Sequence, residues 1–163
     1  MHIMIDIETL GTGVLPTILS IGWCLFDDTK THGSGELFPI IEVGATADPK
    51  TALWWMDQPD AARKLQTGAI RTETLETCLL RLGTMISESK IKGVWAKGVS
   101  FDLRILRDWY KEYEMDTPWH HRAERCMRTF YDLKVESVAS TVPHAIAQAE
   151  TVQKVWRLFN ANS

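Results

Sequence analysis

The chain has 163 residues, close to one typical domain, and its 45% hydrophobic and 24% charged composition suits a packed core rather than a disordered or fibrous chain. Eighteen Lys and Arg against 21 Asp and Glu leave a net charge of −3, which excludes a basic coat that holds nucleic acid by bulk charge. It does not exclude an enzyme that grips one strand end through bound cations.

Cys24, Cys78 and Cys126 are widely spaced and fit neither a disulfide framework nor a cysteine-rich zinc site. No apolar run is long enough to span a membrane, and the first residues lack the basic flank and apolar run of a secretion signal. The expectation is a cytoplasmic protein without membrane attachment.

His2 to Ile7 is short, apolar and β-branched, and Gly11-Thr12-Gly13 follows, so it reads as a strand entering a turn. Ile18 to Phe26 is almost wholly apolar and makes a second strand beside it. Thr29 to Glu36 is polar with two glycines and reads as the connection to a third strand over Leu37 to Val43, antiparallel to the second. Asp48 can cap a helix with Pro49 at its first position, carrying Leu53, Trp54, Trp55 and Met56; Pro59 stops it and can start another through Leu65. Leu75, Leu79, Leu82 and Ile86 recur at helical spacing within Thr72 to Ser87. Gly93 to Ala96 is a brief buried strand, and Ser100 caps the helix that follows, with Phe101, Leu103, Ile105, Leu106 and Trp109 on its apolar face. Beyond Pro118, Thr129 to Leu133 reads as a short helix and Val142 to Phe159 as the last one. Strands followed by helices interleaved with another strand imply an α/β or α+β layered domain, one domain over residues 1–163, with helices packed on a mixed sheet.

Two places carry acids in a suggestive setting. Side chains at i and i+2 of a strand share a face, so Asp6 and Glu8 stand side by side at a strand end, where a hard divalent cation would join them. Taken by itself such a pair is as readily two solvated acids. Asp102 falls in the first turn of a helix after a glycine-bearing turn, a placement the helix dipole alone would favour.

In combination these segments resemble the DEDD 3′→5′ exonucleases of the ribonuclease-H-like fold. Asp6-Ile7-Glu8-Thr9-Leu10-Gly11-Thr12-Gly13 is similar to the first motif of that family, and Ser100-Phe101-Asp102, with Trp95 and Gly98 before it, to the second. Thr51-Ala52-Leu53-Trp54-Trp55, Gln58, Pro118-Trp119 and Arg125-Cys126-Met127-Arg128-Thr129 resemble landmarks of the branch that includes phage exonucleases and mycobacterial-type RNases. The resemblance implies a ribonuclease-H-like mixed β-sheet flanked by α-helices, in which Asp6, Glu8 and Asp102 bind two Mg²⁺ or Mn²⁺ ions. A histidine of the third motif, His144, would act as general base. It further implies hydrolysis of single-stranded RNA or DNA from the 3′ end, with Thr9, Leu10, Gly11, Trp54, Ser100 and Phe101 at the substrate, and it raises a homodimer as an assembly. Trp54 and Trp55 cannot both face one side of a helix, so one can be accessible to stack on a base while the other packs in the core. Lys97, Arg125 and Arg128 are candidates for phosphate contacts, equally for surface ion pairs.

The third motif departs from the pattern. The family has His followed five positions later by Asp, whereas Val142-Pro143-His144 runs directly into Ala145-Ile146-Ala147-Gln148-Ala149-Glu150, so that Ala149 stands fifth. Three readings compete. Residues between His144 and Ala145 are omitted from the chain, which the matches on both sides of the join favour; or the shortening is real and the carboxylate is lost or replaced by Glu150; or His144 occupies the Asp position and Ala139 the histidine position. A catalytically impaired nucleic-acid-binding or interaction protein of the same fold is the alternative that a broken third motif would explain. His2, His32, His120 and His121 show no ligand-like arrangement, and the last two read as an exposed pair.

Overall fold

Alternation along the first strand divides the molecule into two layers of helices on one sheet. The computed structural model describes residues 1–41, 44–133 and 144–160. Strand β1 (His2–Thr9) pairs antiparallel with β2 (Ile18–Phe26), which pairs antiparallel with β3 (Thr31–Leu37). On its other side β1 runs parallel to β4 (Gly93–Ala96), and β4 to β5 (Glu124–Cys126), giving the order β3-β2-β1-β4-β5. Ile3, Ile5 and Ile7 project to one face, where they meet helices α3 (Leu75–Glu88) and α4 (Asp102–Glu112) through Leu79, Leu82, Leu103 and Leu106, all buried. Met4 projects to the opposite face and packs with Phe26, Trp95 and Ala145, Ala149 and Val152 of helix α5 (His144–Asn160). The same alternation delivers Asp6 and Glu8 to the α5 side.

Two features bring α5 down onto that face. Gly22 lies opposite Asp6 in β2, and a Cβ built there would stand 3.7 Å from the Ala145 Cβ, so the pairing of glycine with alanine sets a close approach. Further along α5, Gln153 Nε2 donates to the Asp27 carbonyl at 2.8 Å and Arg157 to that of Thr29 at 3.1 Å, tying the helix to the β2–β3 turn.

Helix α1 (Pro49–Met56) starts as its sequence requires: the Asp48 carboxylate accepts the Thr51 N–H at 2.7 Å, and Pro49 occupies the first turn. Helix α2 (Asp60–Thr67) follows from Pro59.

Three expectations are corrected. The polar stretch expected to connect strands is itself β3; it is an edge strand, and Gly35 lies so close to the Trp23 ring that a Cβ there would stand 3.0 Å from it. Of the expected strand over Leu37 to Val43, Leu37 is the end of β3, and 42 and 43 lie outside the described residues. Ser100 is not the cap of α4: Phe101 holds that position without a side-chain bond. Strand β5 and the 3₁₀ turn His121–Ala123 before it are too short for periodicity to reveal.

Candidate active site

Parallel strands β1 and β4 end at different heights, and the chemistry gathers where β1 runs on alone. The β1–β4 register ends its pairing at Met4 with Trp95, leaving the Asp6 to Thr9 segment beyond its parallel neighbour. Helix α4 begins above this end, and Asp102 reaches over it. Its Oδ1 accepts the Ile7 N–H at 3.3 Å and its Oδ2 the Gly98 N–H at 3.2 Å. The side chain is buried, and burial first, then the charge of Asp6, pushes its carboxyl up to about 7.

From the other layer, His144 opens α5 with its Nδ1 3.4 Å from both Asp6 Oδ2 and Glu8 Oε1. Ligand atoms of Asp6, Glu8 and His144 all lie within 4.8 Å of one another, the one such group among the described residues. Hydrogen bonds to Asp6 and Glu8 raise the His144 imidazole to about 10, so at neutral pH it is a cation between two carboxylates and has no vacant nitrogen to take a proton there. Two carboxylates so placed suit a divalent cation, which would replace the imidazolium as their counter-charge and leave the ring free to lose its proton.

His144 and Ala145 are consecutive residues at the start of α5. Glu150 is not in the group of Asp6, Glu8 and His144, and its charge acts on Cys24. Ala139 lies outside the described residues.

Beside the acids opens a cavity of about 370 Å³ lined by Glu8, Thr9, Thr12, Lys50, Trp54 and Phe101 among others. Of the expected substrate residues, Thr9, Trp54 and Phe101 line it. Leu10, Gly11 and Ser100 do not; Gly11 is buried and Ser100 is exposed. Trp54 is half exposed, and Trp55, expected in the core, instead donates its indole N–H to the Thr9 carbonyl at 2.8 Å. Asp48 Oδ2 accepts the Thr12 N–H at 3.0 Å, and Arg104 donates to the Thr12 carbonyl at 3.2 Å, so the loop after β1 is clasped from both sides. Arg125 spends its guanidinium on the Arg122 and Glu124 carbonyls, and Arg128 lies over Gly98. His120 and His121 are the exposed pair expected of them.

Sequence reasoning missed two polar residues here. Gln148 Nε2 donates to Asp6 Oδ1 at 2.6 Å; its position four residues after His144, on the same helix face, was a usable signal. Glu36 aligns with Asp6 across Gly22, and burial, then the charges of Glu8 and Asp6, raise its carboxyl, while His144 opposes them. That alignment depends on the β3 register, which the sequence did not supply.

A family model described as a 3′-5′ exoribonuclease Rv2179c-like domain matches residues 1–159. Among solved structures, the nuclease domain of 3′hExo, a DEDDh family member bound to rAMP, is similar with a TM-score of 0.64 at 10% identity, covering 98% of this chain and 91% of that one. A 3′-exonuclease in a structure of histone mRNA stem-loop recognition is similar with a TM-score of 0.55 at 9% identity, over 98% of this chain and 81% of that one. The full-length 3′-exonuclease gives 0.54 at 10% identity with the same coverages of 98% and 81%. At such identities these likenesses establish the fold, the expected ribonuclease-H-like α/β sheet flanked by helices. Comparison with curated proteins yields no match.

Proposed function

The chain belongs to the Rv2179c-like 3′-5′ exoribonuclease family and is thus a 3′→5′ exonuclease, a divalent-metal-dependent phosphodiester hydrolase; from that premise we propose that it removes nucleotides from the 3′ ends of single-stranded RNA, with Asp6, Glu8, His144 and Asp102 as the acting residues. The observation that carries this reading is the convergence of Asp6, Glu8 and His144 within 4.8 Å beside a cavity of nucleotide size. The donor set fits Mg²⁺ or Mn²⁺, and we propose two ions, as in two-metal phosphodiester hydrolysis. When bound, such ions polarise the phosphate, lower the pKa of a water and steady the leaving oxygen.

The protein's own residues do the rest. Asp6 and Glu8 hold the positive charge at the mouth of the cavity. Asp102, beside Asp6, serves by releasing its backbone amides and turning its carboxylate to the same centre. His144, relieved of the proton that the two carboxylates keep on it, takes a proton from the attacking water. Trp54, half exposed on the cavity wall, offers a face on which the terminal base stacks, and Lys50 a positive charge for phosphate. Similar proteins act at histone mRNA and bind rAMP, which supports RNA; the comparisons give no support to DNA or to a homodimer.

The test is degradation of 5′-labelled single-stranded RNA and DNA oligonucleotides with Mg²⁺ or Mn²⁺, against EDTA and Asp6→Ala controls. A ladder shortening from the 3′ end of RNA, absent in both controls, is expected. Failure of the folded protein to shorten either strand would sink the reading, and retained end binding without turnover would make it a binding protein.

A further inference from the structure

Helix α5 turns one row of side chains toward β1. Residues four apart share a helix face, so His144 and Gln148 stand one above the other, while Ala145, Ala149 and Val152 form the neighbouring row that packs on Met4 and Phe26. His144 meets Asp6 and Glu8, and Gln148 meets Asp6 at 2.6 Å. Gln148 is only 8% exposed, and its carbonyl oxygen Oε1 is buried without a hydrogen-bond partner among the described residues. A buried amide oxygen left in that condition is unfavourable and asks for an explanation. Reversing the amide does not supply one, because it would set the carbonyl oxygen against the Asp6 carboxylate.

The DEDDh pattern has a carboxylate five positions after its histidine, where this chain has Ala149, and the amide of Gln148 stands one position before it. We propose that Gln148 is the neutral oxygen member of the divalent-metal site: its N–H steadies Asp6 and its carbonyl oxygen ligates the cation. The inference rests on the metal-dependent reading above. Carbonyl oxygens of Gln are ordinary ligands of hard cations, and the number of charged ligands tunes how tightly such ions are held. The amide is tolerable because negative charge is already gathered from two strands. Asp6 and Glu8 come from β1, and Glu36 of β3 shares their face across Gly22, with no side chain in β2 between it and Asp6. Another carboxylate at 148 would stand against Asp6 in the metal-free protein. An amide instead bonds to it, giving a site of lower charge that binds its ion more weakly and holds its shape without it.

Mn²⁺ binding to the full chain, followed by the loss of the free-ion electron paramagnetic resonance signal, tests this with Gln148→Met and Gln148→Glu, each checked by circular dichroism in EDTA. Gln148→Met keeps the length of the side chain without its polar atoms and should weaken Mn²⁺ binding about tenfold or more. Gln148→Glu loses the N–H to Asp6 but adds an anionic ligand, and should bind Mn²⁺ more tightly than wild type. Unchanged binding by Gln148→Met, or a Gln148→Glu protein that binds no tighter than wild type, overturns the proposal. If Gln148→Met does not fold, Gln148→Glu decides alone. Wild-type protein that binds no Mn²⁺ refutes the metal reading itself, whereas wild-type binding that Gln148→Met leaves untouched refutes only the role of Gln148.

Discussion

Replacing Asp102 by Asn should move the stability of the metal-free protein in the variant's favour as pH rises. The side chain is 5% exposed, and burial together with the Asp6 charge raises its carboxyl from 3.8 to about 7. Between those values the folded protein holds a proton that the unfolded chain has released, so stability falls as pH rises through that window. At 1.36 kcal/mol per pH unit, the ionised group costs the fold about 4 kcal/mol above the window. Asn has the shape of the protonated acid but only one acceptor oxygen for the Ile7 and Gly98 amides, so it loses one of these two bonds at every pH, a fixed cost of about 1–3 kcal/mol. The variant should therefore trail the wild type at about pH 4 by that fixed cost and gain about 4 kcal/mol on it by about pH 8. Urea unfolding in EDTA at a series of pH values measures the difference, and the titration of His144, present in both proteins, largely cancels. A divalent cation should narrow the gap, since it compensates the Asp102 and Asp6 charges only where both are acids. A difference that does not change with pH would refute the reasoning, because a packing effect has no reason to titrate.

Asp6→Asn should drop the His144 imidazole from about 10 toward its ordinary 6.5, read from its NMR shifts against pH, and an unmoved titration would show that Asp6 does not hold that proton. In the wild type this raised pKa means that the ion pairs stabilise the fold fully below 6.5 and fade as pH rises through about 10, which alkaline unfolding of the two proteins should display. Trp55→Phe removes the 2.8 Å bond to the Thr9 carbonyl and should cost about 1 kcal/mol of stability while raising KM for RNA more than it lowers kcat, since α1 contributes no buried residue to the core. Equal kinetics in steady-state assays would remove Trp55 from the positioning of the cavity loop. Arg71→Met breaks bonds from one guanidinium to the Leu19, Pro39 and Gln66 carbonyls and should destabilise by about 3 kcal/mol in urea unfolding, with little change in KM.

Much of the architecture was legible because its signals are local. Ile3, Ile5 and Ile7 alternate with Met4, Asp6 and Glu8, and a period of two fixes which of them share a face whatever the strand pairs with. Asp48 followed by Pro49 starts α1 by chemistry confined to one turn, and Leu75, Leu79, Leu82 and Ile86 mark one face of α3. Strand β3 escaped because an edge strand needs no apolar pattern: Gly35 makes room for the Trp23 ring, a partner across the sheet that no local window contains. Trp55 was misplaced for the same reason, its partner being a carbonyl 46 positions away.

By itself, then, the sequence determined the elements with strong periodicity, the pairing of Asp6 with Glu8, and, through the order of its motifs, the exonuclease family. Only the tertiary structure decided what meets those acids. The register of β3 sets Glu36 in line with Asp6, the close approach of α5 over Gly22 sets His144 and Gln148 against β1, and the start of α4 turns Asp102 onto backbone amides. Each depends on how separate elements pack, and packing is fixed by shape and burial summed over the whole core, which short-range pattern does not encode.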